Sequence, residues 1–253
     1  MPADLGNVLA VIPARLGSTR LPRKVLREIA GEPMIAWVYR AARACPLLDR
    51  VLVATDSDEV LDFCQSRSIP AVFTPPDCPS GTDRVHAVAQ AIRADIYLNI
   101  QGDEPLLTPA HFPPLLDLFR NPAVQVGTLA VACPAEDIPN PNAVKVVSAA
   151  DGRALYFSRA TIPFDRDRVG FTGYRKHLGI YAYRRAALER FASLPLSWME
   201  QIERLEQLRL LDHGIPIHVA AAPSDTIGVD TEADLHAVEA VLRSRAKSSA
   251  EGQ

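Results

Sequence analysis

Arg15, Arg20, Arg23 and Lys24 fall within ten positions of one another, interleaved with Gly17, Ser18 and Thr19. Directly before them runs Val8 to Ile12, apolar and rich in β-branched residues, which reads as a strand buried on both faces of a parallel sheet. Arginine forks meet phosphate oxygens in pairs and lysine adds a mobile point charge. Cations clustered at a strand's carboxyl end therefore suit a triphosphate at a sheet crevice. The loop is neither G-x-x-x-x-G-K-[ST] nor G-x-G-x-x-G, Gly17 being its one glycine, so P-loop and dinucleotide readings lose their support. A triphosphate calls for a hard divalent cation, and Gln101-Gly102-Asp103-Glu104-Pro105 brings two acids to the end of another apolar run, Asp95 to Ile100. The bland alternatives are a solvated basic loop and solvated loop acids.

The elements that must position these residues follow from periodicity and punctuation. Glu32 to Ala44 reads as a helix, Arg50 to Thr55 as a buried strand running into Asp56, Asp58 to Cys64 as a helix with acids in its first turn, and Ala71 to Phe73 as a third strand. This β-α-β-α-β order predicts right-handed crossovers, a parallel sheet and ligands at the strands' carboxyl ends. Ser80, Gly81 and Thr82 open a helix through Ile92 and offer amide donors there.

Val124 to Val131 and Ala143 to Ser148 read as further strands. Tyr156 to Arg168 then sets Arg159, Arg166 and Arg168 with Asp165 and Asp167 in an aromatic setting, followed by Lys176-His177-Leu178-Gly179-Ile180-Tyr181. An acidic, hydroxylated substrate would fit, with arginine on a carboxylate and histidine and tyrosine on hydroxyls. His177 serves equally well as a satisfied structural histidine. Leu196 to Leu211 reads as one helix with Glu200, Glu203 and Glu206 on a solvated face. Ile217 to Ala220 is a late strand. Asp230 stands at the turn before a final helix from Glu232 to about Leu242, which Thr231 and Asp234 would cap reciprocally, ahead of a polar, frayed tail.

The 253 residues, 48% hydrophobic, suffice for one large α/β domain over 1–245, with a subordinate lobe near 125–190 and a tail over 246–253. A formal net charge of −3 argues against a nucleic-acid binder. No apolar stretch is long enough for a membrane helix and Met1 to Asn7 is no signal peptide, so the expectation is a cytoplasmic enzyme without membrane attachment. Cys45, Cys64, Cys78 and Cys133 lie far apart with no C-x-x-C pair and read as free thiols.

Several segments, spread over nearly the whole chain, carry a resemblance. They include Ile12-Pro13-Ala14-Arg15, Ser18 to Pro22 with Lys24, Gln101 to Pro105, Asn140 to Val147, Leu155 to Pro163 with Asp165 to Arg168, His177 to Tyr181, Leu205 to Arg209 and Gly228-Val229-Asp230. The chain resembles the 3-deoxy-manno-octulosonate (Kdo) cytidylyltransferases. The first block and Q-G-D-E-P are shared more broadly with nucleotidyltransferases, whereas Y-F-S-R-A-T-I-P and H-L-G-I-Y are specific.

The resemblance implies a Rossmann-like, mostly parallel nucleotidyltransferase sheet with helices on both faces and a smaller sugar-binding and dimerisation lobe. It implies transfer of CMP from CTP to Kdo for lipopolysaccharide biosynthesis, by a homodimer. By the same resemblance Arg15, Ser18, Arg20 and Lys24 hold the CTP phosphates, Ser80, Gly81, Arg84 and Gln101 help read the nucleotide, and Asp103 and Asp230 ligate Mg2+. Arg15, Lys24, Asp103 and Asp230 would be the catalytic set. Arg159, Arg168, His177, Tyr181, Glu206 and Gln207 would frame the sugar acid. Arg23 departs from the family, standing where many relatives carry glycine. Rival readings are a transferase for sialic acid or a sugar 1-phosphate, and a non-catalytic nucleotide sensor.

Overall fold

In chain order the computed structural model contains β1 (Val8–Ala14), the short hairpin β2 (Glu28–Ile29) and β3 (Glu32–Pro33), α1 (Met34–Arg43), β4 (Arg50–Thr55), α2 (Asp58–Ser66), β5 (Ala71–Phe73), α3 (Gly81–Ala91) and β6 (Ile96–Asn99). Then come α4 (Phe112–Asp117), β7 (Val126–Ala132), β8 (Lys145–Ser148), β9 (Ala154–Ser158), β10 (Arg175–Arg184), α5 (Arg185–Ser193), α6 (Trp198–Glu203), α7 (Leu208–Asp212), β11 (Ile217–Ala221) and α8 (Glu232–Glu251). The structure describes residues 4–17 and 21–251, with side chains through 245. Ser18 and Arg20 lie outside the described residues.

The architecture is α/β and divides into two compact units. One is built from Val8–Arg93, Asn99–Pro109 and the chain from Thr226, the other from Ala94–Leu98 and Ala110–Asp225. In the first, β1, β4 and β5 pair in parallel, with Val11 opposite Leu52 and Val53 opposite Ala71. Burial on both faces explains why β1 needs no polar residue, since Val8 to Ile12 are all buried. Ser57 caps α2 by accepting from Val60 N, with Asp58 and Glu59 in the first turn, and Ser80 caps α3 by accepting from Asp83 N. At the start of α8 the expected reciprocal cap is present: Asp234 N donates to Thr231 Oγ1 at 3.2 Å, and Thr231 N to Asp234 Oδ2 at 2.8 Å. That helix continues past Leu242 to Glu251, because no glycine or proline interrupts it before Gly252.

In the second unit β7 pairs antiparallel with β10 and parallel with β11, and β8 pairs antiparallel with β9 and β10. The register of β10 on β7 slips between Leu178 and Tyr181, leaving Gly179 and Ile180 as a bulge.

The single helix expected over Leu196 to Leu211 is two helices, with Arg204 left-handed at φ 54° between them. The break comes from tertiary contacts. Arg159 Nε donates to the Glu203 carbonyl at 2.7 Å and its Nη2 to the Arg204 carbonyl at 3.4 Å, capturing groups that a continuing helix would use. Glu200 is not on a solvated face, either. It is 8% exposed, completes the capping box with Ser197, and takes a two-pronged ion pair from Arg209 at 2.8 and 2.5 Å that joins α6 to α7.

Candidate active site

Chain direction brings the carboxyl end of β1, the start of α3 and the loop after β6 around one cavity of about 470 Å³. Arg15, Gly17 and Lys24 line it from the first loop, Ser80, Gly81 and Arg84 from α3, and Gln101, Asp103 and Asp230 from later in the chain. Gly102 is required by close approach, since a Cβ there would lie 2.9 Å from the Pro13 carbonyl oxygen. The loop can thus lie flat against β1 and present Asp103.

Lys24 is the centre of this arrangement. Its Nζ donates to Asp103 Oδ2 at 2.6 Å and to Asp230 Oδ1 at 2.9 Å. Asp230, more than 200 positions along the chain, is held in reach because Val229 N donates to the Asp103 carbonyl at 2.9 Å. Burial opposes the ammonium charge, but the two carboxylates outweigh it and raise the Lys24 pKa above its ordinary 10.5. The lysine is therefore cationic at any physiological pH. Arg15 is exposed at the mouth of the cavity.

The residues expected to read the nucleotide are held by a relay. Gln101 Nε2 donates to Asn99 Oδ1 at 3.3 Å, and Asn99 Nδ2 to Thr82 Oγ1 at 3.1 Å, both of the latter residues being fully buried. Gly81 keeps this corner open, for its missing Cβ would lie 3.4 Å from the Gln101 amide. Ser80 spends its hydroxyl on Asp83 and accepts from the Asp83 amide, which caps the start of α3 beside the cavity. Arg84 is 3% exposed and pairs with Asp56 at 2.8 Å and with Thr74, so its guanidinium braces the cavity wall.

Two carboxylates that already share one cation form a hard-oxygen donor pair. Among the described residues no group of three or more His, Cys, Asp or Glu side chains could hold a metal. Two carboxylates suit Mg2+, which keeps its waters and takes further ligands from substrate phosphates, rather than a cation needing an all-protein cage.

The residues expected at the sugar lie in the second unit. His177 and Tyr181 stand on β10 with ring centroids 5.3 Å apart, and Phe157 meets His177 edge-on at 5.0 Å. Burial drops the His177 pKa to about 3, so its imidazole is neutral, and burial raises the Tyr181 phenol well above its usual 10. Gln207 Nε2 is buried and finds no hydrogen-bond partner among the described residues, whereas the buried Tyr181 phenol has the Thr128 hydroxyl beside it. An orphaned amide costs free energy unless a ligand satisfies it. Glu206 is partly buried beside Gln207 and close enough to bear electrostatically on Tyr181.

Arg159 is largely engaged, donating to the carbonyls of Glu203, Arg204 and Pro141, with its own amide bonded to Glu203 Oε2 at 2.9 Å. Arg168 is exposed in a left-handed turn at φ 53°, in a loop that Asp165 organises by accepting from Val169, Gly170 and Phe171 amides.

Sequence reasoning missed three positioning groups. Thr128 bonds His177, Glu203 anchors Arg159, and Lys145, wholly buried, donates to the carbonyls of Asn140, Ala143 and Arg159 at 2.7, 2.6 and 2.8 Å. Only Lys145 left a signal, a lone charge inside the apolar run Ala143 to Val147.

A family model for cytidylyltransferases matches residues 9–217. A 3-deoxy-manno-octulosonate cytidylyltransferase of Acidobacterium capsulatum is 71% identical over 241 residues, covering 95% of this chain and 98% of that protein. One of Koribacter versatilis is 58% identical over 94% of this chain and 91% of that protein. Among solved structures, a CMP:2-keto-3-deoxy-manno-octonic acid synthetase complexed with CTP superposes with a TM-score of 0.90 at 44% identity, covering 94% of this chain and 99% of that one. The inositol-1-phosphate CTP transferase of T. maritima, at 14% identity and a TM-score of 0.66, shares the fold. With both the family model and these relatives spanning most of its length, the chain belongs to the 3-deoxy-manno-octulosonate cytidylyltransferase family.

Proposed function

We propose that this chain transfers CMP from CTP to the anomeric hydroxyl of 3-deoxy-D-manno-octulosonate, releasing pyrophosphate and forming CMP-Kdo. The observation that carries the reading is Lys24 bonded to both Asp103 and Asp230 at a cavity whose other walls are Arg15 and the start of α3. Both reactants are anions, so the first task is to draw phosphate into the cavity. Arg15 and the first-turn amides of α3 offer donors to phosphate oxygens, and Lys24 stands ready to follow charge that builds on the departing pyrophosphate. Gln101, steadied through Asn99 and Thr82, would read the nucleotide by hydrogen bonds.

Asp103 and Asp230 would hold Mg2+ together with the phosphates. When bound, such an ion neutralises phosphate charge and makes a nearby hydroxyl easier to deprotonate. No covalent enzyme intermediate is needed, because the sugar hydroxyl is itself the nucleophile. In the second unit, the Gln207 amide supplies a polar group that a hydroxylated ligand would satisfy, with His177 and Tyr181 as further contacts.

The test is pyrophosphate release from CTP and Mg2+ with Kdo, beside N-acetylneuraminic acid and mannose 1-phosphate. Release with Kdo alone is expected. Release only with another sugar keeps the transferase and reassigns the pocket, and silence with all three overturns the reading.

The exposed Leu196, Trp198 and Ile202, at 62%, 68% and 78%, support a homodimer, since Trp198 and Ile202 are one turn apart on α6. Among the described residues no helix is long and apolar enough to cross a membrane. A cytoplasmic enzyme is the setting this reading favours.

A further inference from the structure

We propose that Thr128 is a positioning residue of the sugar site: its hydroxyl holds His177 as the Nε2–H tautomer, leaving Nδ1 as an acceptor for a hydroxyl of the sugar. The inference rests on the assignment of His177 to that site.

Thr128 is fully buried on β7, and its Oγ1 meets two carbonyls and two side chains, those of His177 and Tyr181. The Ile180 carbonyl is at 2.7 Å, the Leu178 carbonyl at 3.3 Å and His177 Nε2 at 3.0 Å. A hydroxyl has one proton and two lone pairs. Carbonyl oxygens accept only, so the proton must go to one of them, and Ile180 is nearest. Were it given to His177 instead, Oγ1 would face two carbonyl oxygens lone pair to lone pair in a buried place. The two lone pairs then accept, one from the Tyr181 phenol and one from His177, whose bond has to run from Nε2–H to Oγ1. Burial keeps the ring neutral, so one tautomer is set rather than a doubly protonated ring. His177 Nδ1 has no partner among the described residues and is left as an acceptor.

The bulge in β10 is what makes this possible. Gly179 and Ile180 have no partners in the register on β7, and the Ile180 carbonyl accepts from the Thr128 hydroxyl. Bulge, threonine and tautomer thus form one device. The consequence for the ligand is chemical: at His177 it must present a donor. A hydroxyl qualifies, whereas a carboxylate or phosphate oxygen does not.

The experiment has two arms. In the first, nitrogen-15 spectra of the intact enzyme report the His177 tautomer, assigned by the loss of its signals in His177→Gln. Wild type and Thr128→Ser should show Nε2–H, and Thr128→Val should lose that signature. In the second, steady-state kinetics should show Thr128→Val raising KM for Kdo about tenfold, with KM for CTP and kcat within twofold, and Thr128→Ser restoring it. A wild-type Nδ1–H tautomer overturns the locking, and this needs no variant to fold. An Nε2–H signature that Thr128→Val removes without moving KM for Kdo leaves the locking intact and overturns the placement of His177 at the sugar.

Discussion

Lys24 is the side chain at which the cavity's charges meet, because it bonds both acids. On the proposed reading, replacing it by alanine removes a preorganised cation from the phosphate site and should lower kcat by about 10²- to 10³-fold. The melting temperature should move little, since losing the ammonium releases two partly exposed carboxylates to water. Stopped turnover beside a calorimetric scan separates the two effects. Asp103→Ala and Asp230→Ala should each abolish metal-dependent turnover and weaken Mn2+ binding, which electron paramagnetic resonance reads directly.

His177 gives a pH signature at the same scale. Its folded pKa, about 3, is depressed from an unfolded 6.5, so between these values the unfolded chain binds the extra proton. The histidine's contribution is complete above pH 6.5 and is lost as pH falls toward 3, at up to roughly 1.4 kcal/mol per pH unit. Urea titrations from pH 7 to 4 should show that slope, and His177→Gln should flatten it.

At the scale of elements, the buried pair between Glu200 and Arg209 ties α6 to α7. Arg209→Ala strands a carboxylate that is 8% exposed and should cost about 3–5 kcal/mol in urea unfolding. Arg23 presents the opposite case. It holds a left-handed φ of 57°, the conformation glycine adopts without strain, which suits the glycine that the resemblance leads one to expect here. Its exposed pairing with Glu59 is worth little, so Arg23→Gly should leave stability within about 1 kcal/mol. β1, α2 and α3 were legible in the sequence because their signals are local: an unbroken apolar run, and a serine followed by acids. The break between α6 and α7 was not, because Arg159, more than forty positions earlier, captures the carbonyls that end α6. Thr128 was illegible for a like reason, its role depending on a bulge some fifty positions away.

For the whole molecule, Lys24 and Asp103 were singled out from residue type and placement after apolar runs, whereas resemblance supplied Asp230, Glu206 and Gln207. The engaged state of Arg84 and Arg159 shows why type alone could not rank them: an arginine bracing a wall and one awaiting phosphate look alike in sequence. If two copies join through the face of Trp198 and Ile202, Trp198→Glu should halve the mass measured by sedimentation while each copy stays folded. Lys145, buried behind three carbonyls, has a separate use. Its amine is shielded and its pKa lowered by burial, so an acylating reagent should reach it only when that part of the chain opens. Mass spectrometry of Lys145 labelling against time would then count those openings in the native enzyme, a clock for local unfolding that requires no engineered probe.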